Sequence, residues 1–178
     1  SLFKANKNFI FEIFWTMFTN AHYYKPNAWD YHSWVYHSAN SIIKLKEPGV
    51  YEVGAGGACT LVSKELLEKG LNFNRLPNMR FPGEDRHFCT RVQALNENLY
   101  IDTNYPAYHI HNPELANEAK KWYANGAQPD FFNGWLTKEW EEQVKNSFKE
   151  PKTKSGKIKK GFYLARRAYI NYLKKFNL

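Results

Sequence analysis

The chain has 178 residues, with 25 Lys and Arg against 17 Asp and Glu and a formal net charge of +8. At 43% hydrophobic, with six Trp, twelve Tyr and thirteen Phe, it can bury a core, which excludes wholesale disorder. Two cysteines exclude a disulfide-rich scaffold and a four-cysteine zinc site, leaving only a Cys59–Cys89 bridge open.

Residues 9–18 are rich in aromatic and β-branched side chains and read as a buried strand. The run is interrupted by Glu12 and Thr16 and is too short to span a bilayer. Residues 19–40 keep neither a helical nor a strand period and read as a long loop with short structured pieces. Residues 42–53 hold two short extended candidates divided by the turn signal Pro48-Gly49. A glycine-rich stretch, Gly54-Ala55-Gly56-Gly57-Ala58, leads into a short strand over 59–62. Ser63 suits the N-cap of a helix over 64–69 that stops at Gly70. A loop over 71–83 precedes a helix over 84–96, whose Phe88, Cys89, Val92 and Leu95 recur at helical spacing. A strand follows over 99–103, and Pro106 interrupts before Tyr108-His109-Ile110. Asn112 and Pro113 open a helix over 113–124, 125–135 is a loop, and 137–148 is a further helix. Residues 149–161 form a basic linker, and 162–178 an amphipathic basic helix.

The charge is concentrated in that tail. Residues 145–178 carry 11 basic residues and one acidic, a net of +10, so residues 1–144 stand at −2. A nucleic-acid-binding domain spreads basic residues over its folded face. The asymmetry therefore speaks against nucleic acid and for an anionic surface facing the tail alone, such as a membrane.

Three segments carry candidate chemistry. In Gly83-Glu84-Asp85-Arg86-His87-Phe88-Cys89, two carboxylates occupy the first helical turn, where they also offset the helix dipole. Asp85 lies three, four and seven residues before Phe88, Cys89 and Val92, so it shares the face the helix buries. Burial raises a carboxylate's proton affinity and makes it a better base. Gly56, Gly57 and Ala58 allow close backbone approach to a ligand, although the stretch is neither a P-loop nor a dinucleotide fingerprint. His109 and His111, two apart, would share a face on a strand and could meet one metal. Cys89, on the apolar helix face, reads as an inert buried thiol.

Taken together, Glu52-Val53-Gly54-Ala55-Gly56-Gly57-Ala58-Cys59, Gly83-Glu84-Asp85-Arg86-His87-Phe88-Cys89 and Leu99-Tyr100-Ile101-Asp102-Thr103-Asn104-Tyr105-Pro106-Ala107-Tyr108-His109-Ile110, in this order, resemble the C-terminal half of bacterial family-2-like glycosyltransferases with the GT-A fold. Phe11-Glu12-Ile13-Phe14-Trp15-Thr16 fits the strand that follows their Asp-X-Asp motif. The resemblance spans roughly residues 1–112. It implies an α/β fold with a mixed sheet flanked by helices, and the domain is expected over 1–148; the basic linker and helix over 149–178 are read from the residues alone. The resemblance also implies a glycine-containing acceptor loop at Gly56 and Gly57, an acidic pair Glu84-Asp85 with Asp85 as base, and His109 in a metal site. The sequence contains no Asp-X-Asp. The chain begins at Ser1 without a Met and reads as the acceptor-side half of such an enzyme, inactive by itself.

The implied reaction is transfer of a sugar from a nucleotide-sugar donor to a glycan or lipid-linked acceptor hydroxyl, with Mn²⁺ or Mg²⁺ on the diphosphate. The implied setting is bacterial cell-envelope polysaccharide synthesis. The opening residues do not follow the signal-peptide pattern, so the expected location is cytoplasmic, peripheral at the inner face of the membrane. In the aromatic segment, Trp29 or Trp34 is the expected sugar platform and Asp30 a partner for an acceptor hydroxyl, although most of these rings are expected to pack. The alternative is a non-catalytic carbohydrate-binding or assembly module.

Overall fold

The computed structural model describes residues 2–17, 21–30, 38–77 and 83–149. The basic linker and amphipathic helix expected over 150–178 lie outside the described residues.

Strand β1 (Phe9–Thr16) is the centre of the fold: seven of its eight residues are buried, Glu12 alone being half-buried. Such a run is what a strand covered on both faces requires. It pairs on one edge in parallel with β7 (Leu99–Ala107). On the other edge its first half meets β6 (Thr60–Val62) and its last residues meet β2 (Lys25–Pro26), both antiparallel. β4 (Val50–Val53) adds antiparallel to β7. A separate two-stranded ribbon joins β3 (Ala28–Trp29) to β5 (Ala55–Gly56). The architecture is thus an α/β fold with a mixed sheet and flanking helices.

Alternation sends Phe9, Phe11, Ile13 and Trp15 into one core. Helix α3 (Glu84–Ala94) covers that face, with Phe88 tilted on Phe9 at 5.6 Å. α5 (Lys138–Lys149) inserts Trp140 edge-on to Trp15 at 5.4 Å, and the Trp140 indole donates to the Tyr24 carbonyl at 3.0 Å. α4 (Ala116–Ala124) buries none of its residues. It is reached from Tyr108, whose hydroxyl donates to Glu118 at 2.8 Å.

Ser63 caps α2 (Lys64–Glu68) as expected: its hydroxyl accepts the Leu66 N–H at 3.3 Å. Ser63→Ala removes that acceptor and should cost about 1 kcal/mol, read as a lower urea midpoint with unchanged slope.

Two expectations need correction. The first extended candidate, around residue 42, is helical: α1 (Ala39–Ile43) is capped by Ser38, which accepts the Ser41 N–H, and buries Ile42. Only the second candidate, β4, is extended. Strand β7 also runs through Pro106 rather than ending at Thr103. The ladder is irregular there: five steps from Asp102 to Ala107 match two from Glu12 to Phe14. A bulge of this kind is where a sheet tolerates a residue with no N–H to donate.

Candidate functional site

The Asp85 carboxyl is enclosed by two glycines. A Cβ on Gly57 would sit 3.0 Å from Oδ2, and one on Gly83 would sit 2.6 Å from Oδ1. Gly83 also has φ +95°, a conformation L side chains rarely adopt. The backbone N–H of Arg86 donates to Oδ1 at 2.8 Å. Burial pushes the proton affinity of Asp85 up, and neighbouring Glu84 adds to this; the Arg86 N–H and guanidinium pull the other way. Burial wins, so the carboxyl holds its proton to a higher pH than a free aspartate. Glu84 itself is exposed. Its part here is the negative charge it places beside Asp85.

The glycine stretch is partly a strand. Gly56 lies in β5 opposite Ala28, and the Phe11 ring occupies the place of its side chain: a Cβ there would be 1.8 Å from Phe11 Cζ. The close approach permitted by Gly56 is thus made by Phe11, while that of Gly57 is made by Asp85. Ala58 is exposed with φ +70°, and its carbonyl accepts the Thr60 hydroxyl. The buried Cys89 thiol donates to the Gly56 carbonyl at 3.1 Å, and both cysteines are free thiols.

Trp29, paired with Ala55, is half-buried, and the Arg86 guanidinium lies 5.3 Å from its ring centroid. The pair places an indole beside the Asp85 turn. Asp30 follows, half-buried. Trp34 lies outside the described residues.

His109 and His111 lie just past the end of β7 rather than on a strand, yet their rings still stack at 5.8 Å. His109 also stacks on Phe14 at 4.2 Å, and His111 Nδ1 shares a hydrogen bond of 3.0 Å with the Thr16 hydroxyl. Burial, with the neighbouring His111, lowers the proton affinity of His109 and favours the neutral imidazole that ligates metals. Its Nδ1 is buried with no hydrogen-bond partner among the described residues. That atom fits one bond to a cation. Among the described residues no three His, Cys, Asp or Glu side chains gather to hold a metal by themselves.

Strand alternation puts Phe11, which fills the place beside Gly56, and Phe14, which stacks on His109, on opposite faces of β1. α3 joins β7 through the four residues 95–98, and the start of α3 meets the Gly57 loop through Asp85. His109 leaves β7 at its carboxyl end. Ligands in α/β sheets bind beyond such ends.

The sequence pattern did not single out Asn27, Glu12 or the Arg86–Trp29 stack. Asn27 is buried and ties β1 to the glycine loop. Glu12 stands beside Cys59, whose thiol is pushed up in proton affinity by burial and by that carboxylate. Each depends on contacts between distant segments, which no local period announces.

Among the described residues no helix is long and apolar enough to cross a membrane. Comparison of the chain with protein-family models, with curated proteins and with solved structures returned no significant match.

Proposed function

We propose that the chain is the acceptor-side part of a nucleotide-sugar glycosyltransferase of GT-A type, with Asp85 as general base. The observation that carries this reading is the Asp85 carboxyl, half-buried between Gly57 and Gly83 at a helix start, with its proton affinity raised by that burial. A base works best when its proton affinity approaches the working pH. Asp85 takes the proton of an acceptor hydroxyl as that oxygen bonds to the anomeric carbon, and the bond from that carbon to the nucleoside diphosphate breaks. Trp29 offers an aromatic face for a sugar ring beside this base, and Asp30 a carboxylate for a second hydroxyl. A divalent cation, Mn²⁺ or Mg²⁺, would supply charge neutralisation at the diphosphate. His109 would contribute one ligand, and Asp-X-Asp carboxylates outside this sequence would contribute others. An imidazole ligand favours Mn²⁺.

The test uses the polypeptide as its own cell makes it. It is incubated with Mn²⁺, a panel of nucleotide-sugars and a mixture of glycan and lipid-linked acceptors, and nucleoside diphosphate is assayed. Acceptor-dependent release from one donor is expected. Sugar binding that needs neither nucleotide nor metal, with no release from any donor, would replace this reading with that of a carbohydrate-binding module.

A further inference from the structure

We propose that Asn27 is a positioning residue: its carboxamide holds the Gly57 loop closed against Asp85. The functional weight of this inference rests on the reading of Asp85 as the base; the geometry behind it stands separately.

Asn27 sits where the chain leaves one pairing for another. Pro26 is in register with Trp15 of β1, while Ala28 is in register with Gly56 of β5. One buried side chain spans this change. Its Oδ1 accepts the Phe14 N–H at 2.9 Å, and its Nδ2 donates to the carbonyls of Glu12 at 3.0 Å and Gly57 at 2.6 Å. The partners fix the orientation of the amide, since an N–H needs the oxygen and two carbonyls need the nitrogen. Both Nδ2 protons and the oxygen are used, so the carboxamide is satisfied inside the protein.

The consequence falls on Asp85. The Gly57 carbonyl is fixed by Asn27, and the Cys59 carbonyl, two residues on, accepts the Glu12 N–H at 2.9 Å. The loop is thereby pinned to β1 on both sides of Ala58. Pinned there, the Gly57 backbone stands so close to Asp85 that a Cβ would lie 3.0 Å from Oδ2 and 3.1 Å from the Asp85 Cβ. Gly57 is thus one of the walls that keep water from the carboxyl. The charged neighbours on its own helix are Glu84 and Arg86, and the Arg86 guanidinium also lies against Trp29, two residues beyond Asn27. No other side chain of this size offers two donors and one acceptor in one plane: Asp lacks the donors, and Ser lacks the reach. Removing the Asn27 carboxamide takes a hydrogen bond from two carbonyls and one N–H, those of Glu12, Gly57 and Phe14.

The test is a ¹³C-carboxyl NMR titration of the full chain, wild type against Asn27→Ala, with Ser63→Ala as a control that loses stability away from the loop. The expected result is a fall of the Asp85 proton affinity toward the ordinary carboxylate range in Asn27→Ala alone. A folded Asn27→Ala with Asp85 titrating as in wild type would overturn the proposal, as would an equal fall in Ser63→Ala. Should Asn27→Ala not fold, solvent exchange of the Asn27 side-chain amide protons in the wild-type chain decides. Strong protection is expected, and exchange at the rate of a free carboxamide would overturn the clamp. Neither readout uses a donor or acceptor, so loss of the transferase reading and loss of the clamp are separate results.

Discussion

Asp85→Asn is expected to lower transfer by the native polypeptide about 10²–10⁴-fold, the usual contribution of a positioned general base, while leaving the fold intact. The substitution keeps an oxygen to accept the Arg86 N–H and changes little in volume. Its effect on stability has a predictable sign. The folded protein holds the Asp85 proton more tightly than the unfolded chain does, because burial penalises the carboxylate. The associated stability is therefore present below the unfolded carboxyl range and lost as pH rises through the folded value. A carboxylate in a first helical turn gains about 0.3–1 kcal/mol from the dipole, but the upward direction of the shift says that burial outweighs this gain. At neutral pH the neutral amide should melt at the same temperature as wild type or higher, and the advantage should close as pH falls into the carboxylate range. Thermal melts of both proteins between roughly pH 3 and pH 8 check this. A marked loss of stability in Asp85→Asn at pH 7 would mean that the carboxylate is structural, and turnover near wild type would remove it as the base.

The largest effect on stability is expected from Gly56→Ala. The added Cβ would meet Phe11 Cζ at 1.8 Å, Cε2 at 2.1 Å and Cε1 at 2.7 Å, and Phe11 is fully buried in the central strand. Overpacking a core costs about 1–3 kcal/mol and sometimes more. Here a whole ring must move, and it packs edge-on to Phe9 at 6.2 Å, so the upper end or beyond is expected. Domains of this kind have about 5–15 kcal/mol in total, which makes the change a large fraction of it. The cause is checked by a double-mutant cycle in urea. Phe11→Leu alone destabilises by opening space, and Gly56→Ala in that background should cost less than in wild type, giving a coupling of about 0.5–3 kcal/mol. Simple additivity would mean that the ring and the glycine are not in the contact described. Gly57→Ala is different in kind, because its Cβ meets the Asp85 carboxyl rather than a core ring. Its main effect belongs on the site.

These contrasts show which parts were legible in the sequence. α3 was readable because its apolar residues recur at helical spacing, and α2 because Ser63 marks its start. Strand β1 was readable because its aromatic and β-branched residues form a short run, broken only by Glu12 and Thr16, that has few other uses. α1 was missed because five residues are too few for a period to show, and its Ser38 cap falls in a segment dominated by polar and aromatic residues. The continuation of β7 through Pro106 was missed because the bulge that accommodates it exists only once β1 is alongside.

The candidate site divides in the same way. Asp85 could be picked out because its spacing from Phe88, Cys89 and Val92 is a local fact. The two glycines that enclose it come from separate segments, one two residues before it and one 28 residues before it. The division of labour between Gly56 and Gly57 could not be seen, since two neighbouring glycines look alike until Phe11 fills the space beside one and Asp85 that beside the other. Asn27 was invisible for the same reason: its three partners lie 13 to 30 residues away.

The measurement closest to the central claim is the anomeric configuration of the transferred sugar, read by proton NMR on the product of the native polypeptide and its donor. A single displacement with Asp85 as base at the acceptor hydroxyl predicts inversion at the anomeric carbon. Retention would contradict it, because the attacking oxygen would then not have displaced the diphosphate directly and Asp85 would not be the base of that step.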